Sequence, residues 1–437
     1  MPLRLRQEVQ ALPRPPRQSL TRLFAAHGFA LFLIAGAIAP AAADTAATRL
    51  ADATCHALRD RVAAVPGDGP LFLRSYDAAS GSGAGTEPAL GGAFTYDNAL
   101  AAIALTACGE VPAARRIADA LWQAAGSDRS YVAGRLRNAY RPGAVDATPV
   151  PPMGWWNAAE GRWDEDPYQV GSATGNLAWA ALALLTVGEA TRDPRYAAGA
   201  ATIARWVVAH AEDGKPPAGF TGGLYGYDDA PQRLTWKSTE HNTDLAAMFA
   251  WLARLQPNAG WDAQAATAQR FVAAEWNAAE DRFLVGTLPD GMTPNLKNSG
   301  IDSELWPLLL AKTEPAWQAG LRHVEQHYAV GAGFDFNDDR DGIWSEGTAQ
   351  AALVYRALGM EAKSDRCLAW LGGEISRGGL IWATDRPRIT TGLALSPQST
   401  KDDFYYYRLP HLGATAWAAL AATGWNPFTG APVKTKP

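Results

Sequence analysis

From Asp44 almost to the C-terminus, apolar positions recur with the period of an α-helix. The pattern predicts twelve helices, over residues 48–65, 97–109, 111–125, 173–191, 194–212, 241–256, 261–276, 302–312, 314–329, 347–358, 361–374 and 412–423. No strand-rich block competes with them. The helices are of two kinds. One kind is Ala-rich and apolar nearly all round: "NALAAIALTA", "GNLAWAALALLTVG", "DLAAMFAWLARL", "ELWPLLLA", "TAQAALVYRALG" and "GATAWAALAATG". Helices without a polar face are buried on every side. The other kind keeps one charged face in water, as in "VPAARRIADALWQAA" and "DAQAATAQRFVAAEW".

The links alternate as well. An apolar helix reaches the next amphipathic one through a short link: Glu110–Val111, Arg192–Asp193, Pro257–Gly260, Lys312–Thr313 or Met360–Glu361. The return takes a long one: 66–95, 126–171, 213–240, 277–301, 330–346 or 375–411. Long loops in a compact domain are uncommon unless functional. Because helix direction alternates, all the long loops fall on one rim, beside the N-termini of the apolar helices. The expected architecture is an all-α (α/α)6 toroid, or barrel, of six inner and six outer helices in a single domain, residues 44–437.

Residues 1–43 form a separate expectation. Arg4, Arg6, Arg14, Arg17 and Arg22 make a basic start, "LFAAHGFALFLIAGAIAPAAA" is apolar, and Ala41–Ala43 is an A-x-A-like cleavage site. This pattern reads as a signal peptide and implies a periplasmic or secreted protein, with no stable membrane insertion after cleavage. A retained anchor is the second reading. The chain carries a net charge of −5, and losing residues 1–43 removes five Arg and one Glu. The acidic remainder has no basic run and is a poor partner for nucleic acid. A monomer without cofactor or metal is expected. Cys55, Cys108 and Cys367 lie in apolar helical patterns and read first as buried thiols. At most one disulfide can form, with its pairing open.

Polar motifs open the inner helices: "TYDN" (Tyr96, Asp97, Asn98), "SATGN" (Thr174, Asn176), "STEHN" (Glu240, His241, Asn242), "DSELW" (Asp302, Glu304, Trp306), "SEGTAQ" (Glu346, Gln350, after Trp344) and "RLPHLGAT" (Arg408, His411, Thr415). Capping is the ordinary explanation, since hydroxyls and acids suit helix N-termini. It accounts for Ser172, Ser238 and Ser345. It does not account for Glu240, His241, Asn242 and Asp244 together, because one cap is enough. These motifs are therefore candidates to line a single cleft.

At motif level, "IWSEGTAQAALVYRALG" and "PHLGATAWAALAATGWNPF" resemble a family of exported bacterial toroid proteins, and the organisation over about residues 48–430 is similar to that of carbohydrate-active enzymes built on this fold. The resemblance implies glycan processing without fixing the reaction, because hydrolases, lyases, epimerases and non-catalytic proteins share the fold. Glycoside hydrolysis needs one carboxyl to protonate the leaving oxygen and a second to activate water or attack. Toroid hydrolases resemble the inverting design. Glu240 is the candidate acid, with His241, Trp236 and an apolar helix available to raise its pKa. Asp97 or Glu346 is the candidate base, with Asp402 and Asp403 as outsiders.

The leading expectation is an exported hydrolase of a polysaccharide, a β-glucan or an exopolysaccharide. Aromatic-rich loops would supply the platform: Trp155, Trp156, Trp163 and Tyr168 in one, Tyr225, Tyr227 and Trp236 in another, Tyr405, Tyr406 and Tyr407 in a third. A lyase is the alternative, with His241 or Tyr96 as base and Asn242, Arg408 and His411 facing a uronate. A non-catalytic glycan-binding protein in polysaccharide export is the third reading. Three weaker signals are set aside. Asp335, Asn337, Asp339 and Glu346 have EF-hand offsets, but Arg340 stands where the turn needs Gly. The pair His323 and His327 lacks a third ligand. The Gly-rich stretch before Asp97 lacks the Lys-Ser/Thr of a phosphate loop.

Overall fold

Small side chains let buried helices approach closely, and the Ala-rich segments do occupy the centre. The structure is a computed structural model that describes residues 45–77, 91–131, 133–402 and 404–433. The expected signal peptide, residues 1–43, and Asp403 lie outside the described residues. Thirteen α-helices are described: α1 (Ala46–Ala63), α2 (Thr95–Ala107), α3 (Val111–Gly126), the single turn α4 (Pro167–Val170), α5 (Thr174–Thr191), α6 (Pro194–Ala211), α7 (Thr239–Leu255), α8 (Trp261–Ala274), α9 (Ile301–Leu305), α10 (Gly320–His327), α11 (Ser345–Ala357), α12 (Glu361–Gly373) and α13 (Leu412–Thr423).

The helices expected over 302–312 and 314–329 are shorter than their pattern. α9 passes into a 3-10 turn, Trp306–Leu309, and α10 is preceded by another, Pro315–Ala319. Pro307 and Pro315 lack the N–H that a continuing α-helix would use, and the chain tightens there.

Packing runs in a closed circuit. α2 packs on α5, α5 on α7, α7 on α9, α9 on α11, α11 on α13, and α13 back on α2. Outside it, α3, α6, α8, α10 and α12 each pack on the circuit helix before them, while α1 packs on α13 and completes the last pair. Burial follows the two helix kinds. Every residue from Leu412 to Ala422 of α13 is buried, whereas α8 buries only Trp261, Ala268, Phe271 and Val272. Asp44–Pro437 forms one compact unit. No helix among the described residues is long and apolar enough to cross a membrane.

Two expectations are corrected. The rim is built from short strands that the helical period concealed. The largest hairpin pairs Gly219–Tyr225 with Gln232–Lys237 and also gathers Ser172–Ala173 and Glu212–Asp213. Its strands are legible in "GFTGGLY" and "QRLTWK" only after the turn residues between them are weighed. The cysteines are not all thiols: Cys55 of α1 is bonded to Cys108 at the end of α2, and only Cys367 is free and buried.

The bond spans 53 residues of sequence. Closing a loop of that length stabilises by about 4 kcal/mol through chain entropy. Urea unfolding of residues 44–437 is expected to show a lower midpoint in dithiothreitol, and an unchanged midpoint would refute this role.

Candidate active site

Four of the six circuit helices, α2, α5, α7 and α11, open with a hydroxyl residue. The first residue staples the helix to the rim: Thr95, Thr174, Thr239 and Ser345 donate their hydroxyls to the backbone oxygens of Arg137 (2.6 Å), Thr221 (2.8 Å), Leu284 (2.5 Å) and Trp382 (2.6 Å). In α2, α7, α11 and α13 the fourth residue is a brace. Asn98 accepts from the Leu73 N–H at 2.8 Å and donates to the Leu73 and Phe94 oxygens at 3.0 and 2.9 Å. Asn242 does the same to Phe220 (2.9 and 3.0 Å) and Ser238 O (2.8 Å). Thr348 and Thr415 brace with a hydroxyl, accepting from Phe334 and Ile381 N–H and donating to Trp344 and His411 oxygens. Asn98 and Asn242 are thus buried and committed to backbone, which corrects their expected contact with substrate. Capping is corrected too: only Ser238 caps, accepting from the His241 N–H at 3.3 Å, while Ser172 accepts from Arg135 and Ser345 is a staple.

With positions one and four fixed on the rim, positions two and three carry the chemistry. His411, just before α13, lies between two acids. Its Nε2 is 3.3 Å from Asp97 Oδ2, and its Nδ1 faces Glu346 Oε1 at 3.1 Å and, farther off at 3.4 Å, the Ala414 N–H. Burial opposes a charge on the ring, but the Asp97 and Glu346 carboxylates outweigh it and push the imidazole up to about 10. Tyr76 stacks on the ring at 4.2 Å between centroids. The Tyr96 hydroxyl donates to Glu346 Oε2 at 3.2 Å and accepts from Trp417 Nε1 at 2.8 Å. Gly413 makes room for the triad, since a Cβ there would stand 2.6 Å from Asp97 Oδ1 and 2.9 Å from Glu346 Oε1. The donor atoms of Asp97, Glu346 and His411 lie within 4.8 Å of one another, close enough for a metal, but each ring nitrogen already faces a carboxylate.

Glu240 occupies the second position of α7 and stays partly exposed. Its dry surroundings, together with the field of Glu346, push its carboxyl up to about 7. Asp302, second in α9, is held well above the usual carboxylate range by burial and by the fields of Glu240 and Glu346. His241 stands over Gly175, where a Cβ would meet its ring at 2.7 Å, and its Nδ1 is 3.0 Å from the Thr174 hydroxyl. Burial pushes this imidazole down to about 4, so it is neutral. Trp236, in the irregular stretch of its strand, lies 5.4 Å from the His241 ring.

The sixth residues build the floor. Trp179, Trp306 and Trp417, each five places after the first residue of α5, α9 and α13, form a triangle with centroids 5.3, 5.7 and 5.8 Å apart. Phe428 packs against Trp179 and Trp306. At the same level Asp244 and Gln350 are fully buried, and neither Asp244 oxygen has a hydrogen-bond partner. Burial and the fields of Glu240 and Asp302 keep Asp244 well above its ordinary pKa. Tyr76, Trp179, Trp417 and the role of Asp244 escaped the motif reading, which names Trp306 alone of the three indoles. Counting five places from each helix start would have found the floor.

Several other candidates turn elsewhere. Glu304 is enclosed on the outer side by Tyr328 Oη at 3.0 Å and His323 Nδ1 at 2.9 Å. Arg408 pairs with Glu374 at 3.1 Å and donates to Thr384 O, away from the triad. Trp344 is buried against Phe336 and Tyr406, so it supports Tyr406 and presents no open face. Lys237 reaches the Lys215 and Pro217 oxygens, both at 2.7 Å. Asn176 donates to Asn138 at 2.8 Å and stays partly exposed, as does Tyr406, 6.1 Å from the His411 ring. The side chains of Trp155 and Trp156 lie outside what is described.

This fold is that of glycosidases. A glycosidase determined as wild type is 13% identical and superposes with a TM-score of 0.57 over 88% of this chain and 98% of its own. A glycosidase Glu→Ala variant in complex with glucose gives 0.56 at 14% identity, over 88% and 98% of the two chains. A glycoside hydrolase family 76 mannosidase from Bacteroides thetaiotaomicron gives 0.53 at 14% identity, over 86% and 98% of the two chains. An α-amylase from Clostridium perfringens gives 0.55 at 11% identity, over 85% and 96%. No family model and no curated protein matches the sequence.

The triad carries a pH signature. The His411 proton is held up to about 10 in the folded chain and leaves near 6.5 when unfolded. Its stabilisation is therefore complete below about 6.5 and is lost as pH rises toward 10. The melting temperature is expected to fall from pH 7 to 10, and less steeply in His411→Gln; parallel slopes would sink the charged-triad account. Gly413→Ala would ordinarily favour a helix by about 1 kcal/mol. Here it is expected to lower the melting temperature, because the new Cβ strikes two carboxylates.

Proposed function

We propose that the closed circuit is the inner ring of an (α/α)6 toroid and that the protein is a glycoside hydrolase of a neutral glycan. The carrying observation is the pair Glu240 and Glu346. Both stand at the second position of a circuit helix, and the field of Glu346 reaches Glu240, yet their surroundings differ. Glu346 is paired with a charged imidazole and accepts from Tyr96. Glu240 is pushed up to about 7 with burial the larger cause. Burial raises the Glu346 carboxyl as well, but His411 and the Tyr96 hydroxyl oppose that rise, whereas both influences on Glu240 act upward; this difference separates an acid from a base. Glu240 then protonates the leaving oxygen, and Glu346, fully buried beside Tyr96 and His411, takes a proton from the attacking water. Asp97 is the positioning partner of His411. An inverting outcome fits a water placed between the two glutamates.

A neutral glycan agrees with the aromatic lining of Tyr96, Tyr168, Tyr406 and Trp236, which suits the CH faces of sugars. It also agrees with the similar proteins, which are named a mannosidase, an α-amylase and a glycosidase holding glucose. The lyase reading weakens: His241 is too weak a base at about 4, His411 already holds its proton, and Arg408 is turned to Glu374. Export is part of the proposal, and the Cys55–Cys108 bond suits an oxidising compartment.

Residues 44–437, incubated with neutral and uronate-containing polysaccharides, are expected to release reducing ends from a neutral one without ultraviolet absorbance of unsaturated sugars. That absorbance would mean a lyase. Glu240→Gln is expected to cost about 10²–10⁴-fold in kcat while glycan binding persists. In the parent, kcat/KM should fall as pH rises through about 7, where Glu240 loses its proton. Full activity in Glu240→Gln ends the mechanism.

A further inference from the structure

Between the strand Gly333–Phe334 and α11 the chain reads "DFNDDRDG", with an acid or amide at residues 335, 337, 339 and 341. Carboxylate oxygens of Asp335, Asp339 and Asp341 converge to within 4.8 Å of one another. Asp335 is fully buried, with backbone N–H groups of Phe336 (2.7 Å) and Gly342 (3.3 Å) on its two oxygens. Arg388, the cation whose field reaches Asp341, lies over the Tyr405 ring at 4.6 Å. Three like charges at this spacing repel one another unless a cation joins them.

A separate observation concerns the amide. Asn337 is only 5% exposed, and its Nδ2 meets Asp339 Oδ2 at 3.2 Å, so its head sits inside the cluster. Its Oδ1 is nevertheless buried with no hydrogen-bond partner. A buried oxygen without a donor is costly. Beside carboxylates, the group that meets it best is a hard cation.

We propose that Asp335, Asn337, Asp339 and Asp341 form a calcium site. The donor set is all oxygen, with three charges and one neutral carbonyl, which suits calcium rather than a nitrogen- or sulfur-seeking metal. It is not an EF-hand. Glu346, at the twelfth place, is committed to His411 and Tyr96, and Asp341 takes its part. The turn that wants Gly is made by Arg340 itself, at φ +55°. Asp341 Oδ2 accepts from the Thr390 N–H at 3.0 Å, and Asp339 accepts from the Thr390 hydroxyl. Arg388–Thr390 pairs with Tyr405–Tyr407. The ion therefore fastens the loop before Glu346 to the strand that bears Tyr406.

The test uses residues 44–437 stripped with EDTA and titrated with calcium chloride by calorimetry and thermal melting. Binding in a 1:1 ratio is expected, with the melting temperature raised by about 3 °C at a hundredfold excess over Kd. Asp339→Asn and Asp341→Asn, both exposed and outside the triad, should fold and lose the heat and the shift. Absence of both in the parent overturns the site. So does a shift retained in both variants, or one matched by magnesium at equal concentration.

Discussion

A buried helix end must satisfy backbone groups that have no partner within the helix. In this protein that constraint falls on six helix N-termini crowded onto one rim, and the rest of the site depends on how it is met. The rim strands supply the partners. The backbone N–H of Thr95, Thr239, Ile301, Ser345 and Leu412 each reaches a rim carbonyl, at 2.8 to 3.0 Å. In α2, α7 and α11 the side chains at the first and fourth positions add a second and third tie, while α5 and α13 gain one. Helices held this way need no help from the residues between, which are free to be acids, imidazoles, tyrosine or glycine.

Crowding those free positions together has an electrostatic result. Asp97, Glu240, Asp244, Asp302 and Glu346 share a space from which water is largely excluded. Only one buried base, His411, is charged among them, and it is held by the two acids that flank it. The remaining carboxyls are all raised, Glu240 to about 7. Desolvation is the first cause for Glu240, Asp302 and Asp244 alike, and the like-charge fields only add to it. An acid poised near neutrality thus follows from placement.

The helical period made twelve segments and the one-sided loop lengths legible, because both depend on spacing along the chain. The motif "STEHN" gave Glu240 and His241 for the same reason. What stayed hidden required partners distant in sequence. Asn98 and Asn242 look like ligand-binding amides until the Leu73 and Phe220 backbones lie beside them. Arg408 looks like an anion receptor until Glu374 claims it. Tyr76 sits in a short segment with no period, and nothing local announces that it covers His411. The short rim strands were lost because two or three residues carry no alternation to read.

The circuit closes where α13 meets α2, and α1, the first helix described, also packs on α13. The ring therefore cannot close on any N-terminal fragment, however long. As the polypeptide emerges, α1 can meet α2 and α3 early, but α12 and α13, which cover the rest of it, come last. The bond from Cys55 to Cys108 bears on that interval, since it ties α1 to the end of α2, the neighbour of α13 in the circuit. Loss of the final helix would open the circle at its seam, exposing α1, α2 and α11 at once. Stop codons near the C-terminus thus act on the whole assembly, and the opposite cut, joining the ends and opening a short link instead, would leave the circuit intact.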